Sequence, residues 1–484
     1  MATFATFLLL VVAAIESSSY QLKEAYSWKV VDFQYPNDTV RQGALKSGSF
    51  VQENSLPLGV EVWKNKLFIT LPRWKPGIPA TLTYINLDGK IKCSSQQTDI
   101  SRISLEREFA ETDPVPGLGN PRLETNGSKI VSVFRLNVDV CDRLWMVDTG
   151  PRILVYDLKT DKLIDEYEVK KEHLKENTFL ANIIVDVTPE TCDKPYAYVT
   201  DLMAYGLIVY DMKNKDSWRI DHHYFHFDPL SGDYHIGGVN FQWNDGIFGI
   251  ALSPAPKEGH RTLYFHPLSS TREFAVSTRV LQNKTNADSY HEYKILGSRG
   301  PNSQATASSL DEKTGVLVYT QVNKDAIGCW NSVRHADEYS ADTNGILAAD
   351  NETLIFPNDL KVDKNGNLWV VSDRLPQYIY KQLDYKDVNF RVLTASVAEA
   401  IKGTVCRRYV KHFRETEVPS ISRLCNKRTS LTCGMLQFYA QTISEYFCTL
   451  ISISVSDEIG IVKRKNLQEQ TNDPGLMFHL TFFT

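Results

Sequence analysis

The chain has 484 residues, of which 42% are hydrophobic and 23% charged, and its 53 Lys and Arg against 58 Asp and Glu give a formal charge of −5. This composition is typical of a globular protein and excludes a disordered chain and a membrane bundle. The near-neutral balance provides no clustered basic surface for a phosphate backbone, so nucleic acid is excluded as a partner.

The first 19 residues have the features of a secretory signal peptide. An apolar stretch over 4–15 precedes small residues over 17–19. The stretch is shorter than the about 20 apolar residues that cross a bilayer. Since no later stretch of the sequence is long and apolar enough to anchor the chain, we expect a secreted, extracellular protein without a membrane contact.

The sequons and the cysteines agree with secretion. Eight Cys without a C-x-x-C spacing favour disulfides over a metal or redox site in an oxidising compartment. N-glycosylation is predicted at the four N-x-S/T sequons, Asn37, Asn126, Asn283 and Asn351.

One unit recurs along most of the chain: a strand, a turn that usually contains Asp, and an apolar strand. Six copies lie at 59–70, 134–148, 182–201, 239–250, 307–320 and 358–373. A period of about 55–60 residues is typical of four-stranded propeller blades, whereas a β-sandwich has no reason to repeat the unit. We therefore predict an all-β fold, a six-bladed β-propeller over 20–406, with a strand in 26–33 that closes the ring on the last blade.

The turn positions carry two further predictions. The recurring carboxylates are interpreted as turn formers that bind their own backbone; they are Asp139, Asp186, Asp311 and Asp363. Cys141 and Cys192 occupy the same turn in consecutive units and are predicted to form a disulfide. A second disulfide is predicted between Cys329 and Cys406, and the pairing of Cys93 and the tail cysteines stays open.

Ligand-binding side chains are expected at the starts of the inner strands, because these strands line a propeller's channel. The aligned pairs are Leu58-Gly59, Phe134-Arg135, Ala181-Asn182, Val239-Asn240, Thr306-Ala307 and Asn358-Asp359. Such a ring could orient a small polar ligand, and it singles out Phe134, Arg135 and Asn182. Alternatively, the polar members satisfy one another and bound water.

Long motifs carry a resemblance to a known family. They include VCDRLWMVDTG at 140–150, AYVTDLMAYGLIVYD at 197–211 and HFDPLSGDYHIGGVNFQWNDGIFGIALSP at 226–254. Over about residues 27–406 the chain resembles the insect yellow and major royal jelly protein family. The resemblance implies a secreted six-bladed propeller. It also implies roles that range over cuticle pigmentation, dopachrome conversion in melanin synthesis, nutrition and capture of biogenic amines.

The resemblance also implies a binding site. Amine-binding members of the family receive the ammonium on an Asn, a Thr and a main-chain carbonyl near the last blade, which here implies Asn358 and Thr343. Leu360 stands where those binders carry an aromatic residue. An ammonium needs oxygen acceptors and an aromatic wall. The alternative for Asn358 is a side chain that caps a strand or turn.

Metal and catalytic chemistry have less support. The segment 357–373 is similar to the metal-binding repeats of gluconolactonase-type propellers, but 57–60 lacks the Glu expected at the first blade. His222, His223 and His226 are interpreted as a solvated strand face. No nucleophile elbow, zinc motif, Walker loop or dinucleotide fingerprint occurs. We therefore predict no metal, no cofactor and no assigned catalytic residue.

Three functions stay open: a channel that binds a small ligand, plausibly an aromatic biogenic amine; a dopachrome-converting tautomerase; and a structural or nutritive secretion. A tautomerase needs a group whose pKa lies near the working pH. No His stands at an inner-strand start, which favours binding.

The tail over 407–484 shows no blade pattern, and its 10 basic residues outnumber its 7 acidic ones. It is interpreted as a segment outside the propeller, disordered or mis-predicted, against the alternative of a genuine extension with a helix around 436–450. Without the tail the charge is −8 (−5 less the tail's +3). An acidic propeller suits a cationic ligand.

Overall fold

The computed structural model of the chain describes residues 20–87, 103–104, 130–256 and 259–407. The predicted signal peptide, the sequon Asn126, Cys93 and the tail from 408 onward lie outside these residues. The described chain is built almost entirely of β-strands.

The N-terminal segment precedes the first blade and contains β1 (Lys23–Trp28), β2 (Phe33–Gln34) and α1 (Asp38–Ser47). Helix α1 begins after Asn37, whose side-chain oxygen accepts a hydrogen bond from the Val40 N–H at 2.9 Å. It ends at Gly48, whose φ of 75° is a left-handed conformation that glycine adopts without strain.

The first three blades follow one another along the chain. Blade 1 contains β3 (Val60–Trp63), β4 (Lys66–Thr70), β5 (Leu82–Asn86) and β6 (Ile103–Ser104), with β2 paired to β6. Blade 2 contains β7 (Val133–Val138), β8 (Arg143–Asp148), β9 (Arg152–Asp157) and β10 (Lys162–Glu168). Blade 3 contains β11 (Leu180–Asp186), β12 (Tyr196–Asp201), β13 (Gly206–Asp211) and β14 (Asp216–Asp221).

A hairpin of β15 (Asp233–Ile236) and β16 (Val239–Gln242) separates these from the last three blades. Blade 4 contains β17 (Ile247–Leu252), β18 (Thr262–Pro267), β19 (Arg272–Ser277) and β20 (Lys294–Ser298), with the short helix α2 (Thr278–Leu281) after β19. Blade 5 contains β21 (Ser308–Asp311), β22 (Val316–Gln321), β23 (Ala326–Asn331) and β24 (Asn344–Ala349). Blade 6 contains β25 (Pro357–Val362), β26 (Asn367–Ser372), β27 (Phe390–Ser396) and β1, with helices α3 (Leu375–Tyr380) and α4 (Val397–Ala400).

The inner strands form a closed ring. In the order β3, β7, β11, β17, β21 and β25 each contacts the next, and β25 contacts β3. The predicted closure on the last blade is confirmed, because β1 pairs antiparallel with β27 from Lys23 opposite Thr394 to Trp28 opposite Phe390. The closing strand begins and ends earlier than the predicted 26–33, and Phe33 instead lies in β2, which pairs with blade 1. This pairing uses the last blade's free edge, which would otherwise expose unpaired backbone groups. The six-bladed propeller is thus confirmed.

Burial follows from the stacking of blades against one another. The strands β8, β13, β22 and β23 are buried at every position, since each is covered on both faces by neighbouring blades. At the rim, β10 is mostly exposed. Continuous apolar runs therefore mark the middle of a blade, and polar runs mark its outer edge.

The structure contains both predicted disulfides. Cys141 and Cys192 have Cα atoms 5.9 Å apart, and Cys329 and Cys406 have Cα atoms 6.2 Å apart. Both distances fall within the range that a disulfide spans. The first joins the turns of blades 2 and 3, and the second joins blade 5 to the chain after α4.

The turn carboxylates behave as expected in three of four units. Asp139 accepts hydrogen bonds from the Cys141 and Arg143 backbone, Asp363 from Asn365 and Asn367, and Asp311 from Lys313. Asp186 differs, because its carboxylate accepts from the side chains of Tyr198 and Gln282.

The prediction for the fourth blade was wrong. Val239 and Asn240 lie in β16, which pairs only with β15, and the inner strand is instead β17, beginning at Ile247. The two runs, 239–243 and 246–250, alternate alike, so the sequence pattern could not show that the first belongs to a hairpin outside the blades.

Candidate functional site

A cavity of about 320 Å³ lies where the inner strands begin. We call it the aromatic mouth of the channel. Twelve of its fifteen lining residues are apolar, and its polar members are Asp245, Thr306 and Asn358. The apolar lining residues are Leu58, Trp74, Phe134, Phe179, Leu202, Met203, Trp243, Phe248, Leu268, Phe356, Leu375 and Ile379.

Six of the fifteen residues that line this cavity are aromatic. The rings of Phe134 and Phe179 meet edge to face with centroids 4.8 Å apart, and Trp74 lies 5.4 Å from Phe134. On the other side Trp243 and Phe356 meet edge to face at 5.9 Å. Such edge-to-face contacts are favourable and hold the rings in place, so the wall is formed before any ligand enters.

An ion pair lies one residue further along the inner strands than the cavity-lining Phe134 and Asn358. The Arg135 guanidinium and the Asp359 carboxylate are fully buried and 2.9 Å apart. Arg135 also donates to the main-chain oxygens of Leu58 and Asn358 and lies 4.9 Å from the centre of the Phe248 ring. The Asp359 carboxylate accepts the Val60 N–H at 2.9 Å. The pair therefore links blades 1, 2 and 6 across the channel.

Asn358 connects this ion pair to another buried carboxyl group. Its amide oxygen accepts from Arg135 at 2.8 Å, and its amide nitrogen donates to Asp373 at 2.6 Å. Burial raises the pKa of Asp373 to about 8. Asn358 lines the cavity, but its polar atoms already have protein partners.

The structure places the other predicted ligand residues in different surroundings. Phe134 lines the aromatic mouth. Asn182 is buried beside it and donates to the Phe248 carbonyl at 2.9 Å. Leu360 belongs to the hydrophobic core between blades 5 and 6. Thr343 is in a turn of blade 5, where its hydroxyl bonds to main-chain oxygens of Glu338 and Ser340. Neither Leu360 nor Thr343 lines the cavity.

The sequence analysis missed Asp245, which lines the cavity between β16 and β17. Burial raises the pKa of its carboxyl group to about 6. Trp74, Phe179 and Trp243 were missed as well. The sequence signal for Trp243 and Asp245 is the family motif at 226–254, which contains both residues outside the inner-strand starts.

The β15–β16 hairpin and α3 lie beside the aromatic mouth and contact each other. Gln377 donates to the Gly237 carbonyl at 2.8 Å and Lys381 to the Gly238 carbonyl at 2.7 Å. The Trp243 indole N–H donates to the Tyr380 hydroxyl at 2.6 Å. These contacts hold the hairpin and the helix together at the mouth.

A second cavity, of about 140 Å³, lies where the inner strands end. We call it the polar mouth, because seven of its sixteen lining residues are polar: Asn137, Asp139, Arg261, Ser308, Ser309, Glu312 and Lys361. Beside it, burial raises the pKa of Glu61 to about 7. The Glu61 carboxylate accepts the Val138 N–H at 3.1 Å.

The histidines of the 222–226 segment do not form a solvated strand face, so that interpretation was wrong. His222 is buried and stacks on Tyr293 with ring centroids 4.0 Å apart. Residues His223–Phe225 form a 3₁₀ turn, so the side chains of this segment do not alternate as they would in a strand. In the part of the chain that the structure describes, no three His, Cys, Asp or Glu side chains are grouped to hold a metal ion.

Two features bear on the compartment. Asn37, Asn283 and Asn351 are exposed, although their glycosylation stays a prediction. Among residues 20–87, 130–256 and 259–407, no helix has the length and apolar character needed to cross a membrane.

Comparison with known proteins identifies relatives of the chain. The major royal jelly protein family matches residues 131–406. The chain is 42% identical over 405 residues to Protein yellow of Drosophila yakuba and of Drosophila melanogaster, covering 80% of this chain and 71% of each relative. It is 42% identical over 419 residues to Protein yellow of Drosophila subobscura, covering 83% and 70%. Among solved structures, virginiamycin B lyase from Staphylococcus aureus is 12% identical with a TM-score of 0.38, covering 72% of this chain and 97% of that chain. The chain belongs to the yellow and major royal jelly protein family.

Proposed function

We propose that the protein is a secreted propeller that binds a small aromatic amine in the aromatic mouth of its channel. The observation that carries this proposal is the cavity wall, in which rings from several blades surround about 320 Å³. This volume is near the lower end of the range for small-molecule sites. The flat rings of an aromatic ligand would contact Phe134 and Phe179, and an ammonium is attracted to ring faces and oxygen acceptors.

The other mouth supports the same choice of site. Its volume of about 140 Å³ is less than half as large, and several of its polar groups are already paired, as in the 2.6 Å contact of Arg261 with Glu312. A bound aromatic ring would there displace water from polar groups without providing replacements. Two disulfides agree with an oxidising compartment.

The test is calorimetric titration of the protein with serotonin, dopamine and tryptamine, using wild type and Phe179→Ala. Removal of the Phe179 ring should weaken amine binding about 5-fold to 30-fold, because one buried aromatic contact contributes about 1–2 kcal/mol. Val140→Ala, at the polar mouth, is the matched control and should bind as wild type. Equal binding by Phe179→Ala and wild type would remove the aromatic mouth as the site.

A dopachrome tautomerase is the second candidate, and Asp245 is the observation that favours it. A carboxyl group with a pKa of about 6 lines the cavity, and a group in this range can accept and return a proton near neutral pH. Dopachrome turnover should therefore be assayed on the same sample. Turnover abolished by Asp245→Asn would support the enzyme, and binding without turnover would support the amine carrier. Neither binding nor turnover would indicate a structural or nutritive role.

A further inference from the structure

Asp245 stands alone among the acidic residues at the aromatic mouth. In the part of the chain that the structure describes, its carboxylate has no hydrogen bond and no ion pair. The residue is partly buried, and a carboxylate that loses part of its water without gaining a partner costs free energy. Asn358, by contrast, has both side-chain polar atoms bonded within the protein.

The backbone around Asp245 is held from both sides. The Asp245 carbonyl accepts the Ser269 N–H at 3.1 Å, and the Gly246 N–H donates to the Leu202 carbonyl at 3.0 Å. A Cβ on Gly246 would lie 2.4 Å from the Tyr205 ring and 2.6 Å from the Phe225 carbonyl. Only glycine therefore lets the chain pack here, and the packing fixes the backbone that carries the Asp245 side chain.

Among the residues that the structure describes, no Lys, Arg or His side chain forms an ion pair with Asp245. The titratable groups that interact with it are the phenols of Tyr205 and Tyr234, which are neutral at physiological pH and whose pKa values it helps to raise. Trp243 and Phe248, two and three residues away in sequence, line the same cavity. An unpaired anion in a cavity that is also lined by aromatic rings is the arrangement that recognises an organic ammonium ion.

We infer that Asp245 is the residue that receives the ligand's ammonium group, so that the aromatic mouth selects cationic aromatic amines over neutral ligands of the same shape. This inference rests on the proposed amine binding. The negative charge that pairs with the ligand is then provided by Asp245, in the loop between β16 and β17. Asn358 contributes to the cavity wall and to the hydrogen bonds around Arg135.

The test compares tryptamine with indole-3-ethanol, in which a hydroxyl replaces the ammonium. Wild type should bind tryptamine at least tenfold more tightly than the alcohol. Asp245→Asn keeps the side-chain shape and removes the charge, so it should lose at least tenfold in tryptamine affinity and keep its alcohol affinity within about twofold. Unchanged alcohol binding also shows that the variant is folded. Asp337→Asn, an exposed position outside the cavity, is the matched control and should match wild type.

The pH dependence provides a second readout. The carboxyl group has a pKa of about 6, so tryptamine affinity of wild type should fall as the pH is lowered below about 6, because protonation removes the anion. Asp245→Asn should show no such fall. Tryptamine binding that Asp245→Asn leaves unchanged, or a wild type that does not distinguish amine from alcohol, would overturn the inference while leaving cavity binding intact. No binding of either compound by wild type would instead overturn the proposed function.

Discussion

The two mouths of the channel are built from the same inner strands but differ in chemistry. The aromatic mouth is lined by rings and by one carboxylate, Asp245, which has no hydrogen-bond or ion-pair partner in the described part of the chain. At the polar mouth, Asn137 accepts the Val185 N–H at 3.0 Å and donates to Glu61 at 3.5 Å, and Asp139 pairs with Arg143 at 2.6 Å. The polar mouth has more polar groups, but protein partners occupy many of them. A ligand is therefore expected at the aromatic mouth, which has the unpaired carboxylate, rather than at the polar mouth, which has more polar groups.

The buried ion pair between Arg135 and Asp359 should give the largest effect on stability. Arg135→Met leaves the Asp359 carboxylate buried without its partner, since both side chains are fully buried. The free energy of unfolding should fall by about 3–5 kcal/mol, measured by urea denaturation. Arg272→Met removes a side chain that is 53% exposed and should change stability by less than about 0.5 kcal/mol. An equal free energy of unfolding for Arg135→Met and Arg272→Met would show that the Arg135–Asp359 ion pair does not stabilise the fold.

At the polar mouth, Glu61 should make stability depend on pH. Burial raises its pKa from 4.5 to about 7, so the folded chain keeps a proton that the unfolded chain has lost over this range. The Glu61 contribution to the free energy of unfolding should therefore fall as the pH rises from about 4.5 to about 7, by up to about 3 kcal/mol.

Glu61→Gln isolates this contribution. Asp373, with a pKa raised to about 8, acts in the same direction but is present in both proteins. Urea denaturation of both proteins across pH 4 to 8 should therefore show that the free energy of unfolding falls less steeply with rising pH in Glu61→Gln than in wild type. Parallel curves would show that Glu61 is as well solvated as an exposed carboxylate.

The contact beside the aromatic mouth should give the smallest effect. Tyr380→Phe removes the hydroxyl that accepts the Trp243 N–H at 2.6 Å. A single partly exposed hydrogen bond contributes about 0.5–1 kcal/mol, so the melting temperature should change little and amine dissociation should become up to about fivefold faster. Tyr290→Phe, whose hydroxyl bonds to Tyr224 away from the cavity, is the control. The same dissociation rate for both variants would show that α3 does not retain the ligand.

Much of the fold could be predicted because the repeat is local. Strand, turn and strand are adjacent in sequence, and each turn carboxylate, such as Asp139 or Asp363, bonds within its own turn. The disulfide between Cys141 and Cys192 followed from the same register. The fourth blade was mistaken because β16 and β17 have similar alternation, and only strand pairing assigns β17 to the ring.

The site was predicted less completely. Phe134 and Asn358 lie at inner-strand starts and line the cavity, as expected from blade geometry. Thr343 and Leu360 came from the family resemblance and lie outside the cavity. Asp245 lies in a loop between a hairpin and a blade, where no periodic pattern marks it.

The sequence alone determined the all-β class, the number of blades and the presence of a closing strand before the first blade, and it predicted both disulfides, because these depend on residue order, alternation and spacing along the chain. Only the tertiary structure decided which polar groups are paired. Arg135 meets Asp359 across 224 positions of sequence, and Asp245 meets no donor among the described residues. The availability of a charge for a ligand depends on which side chains converge in space, and this convergence is set by ring closure and packing.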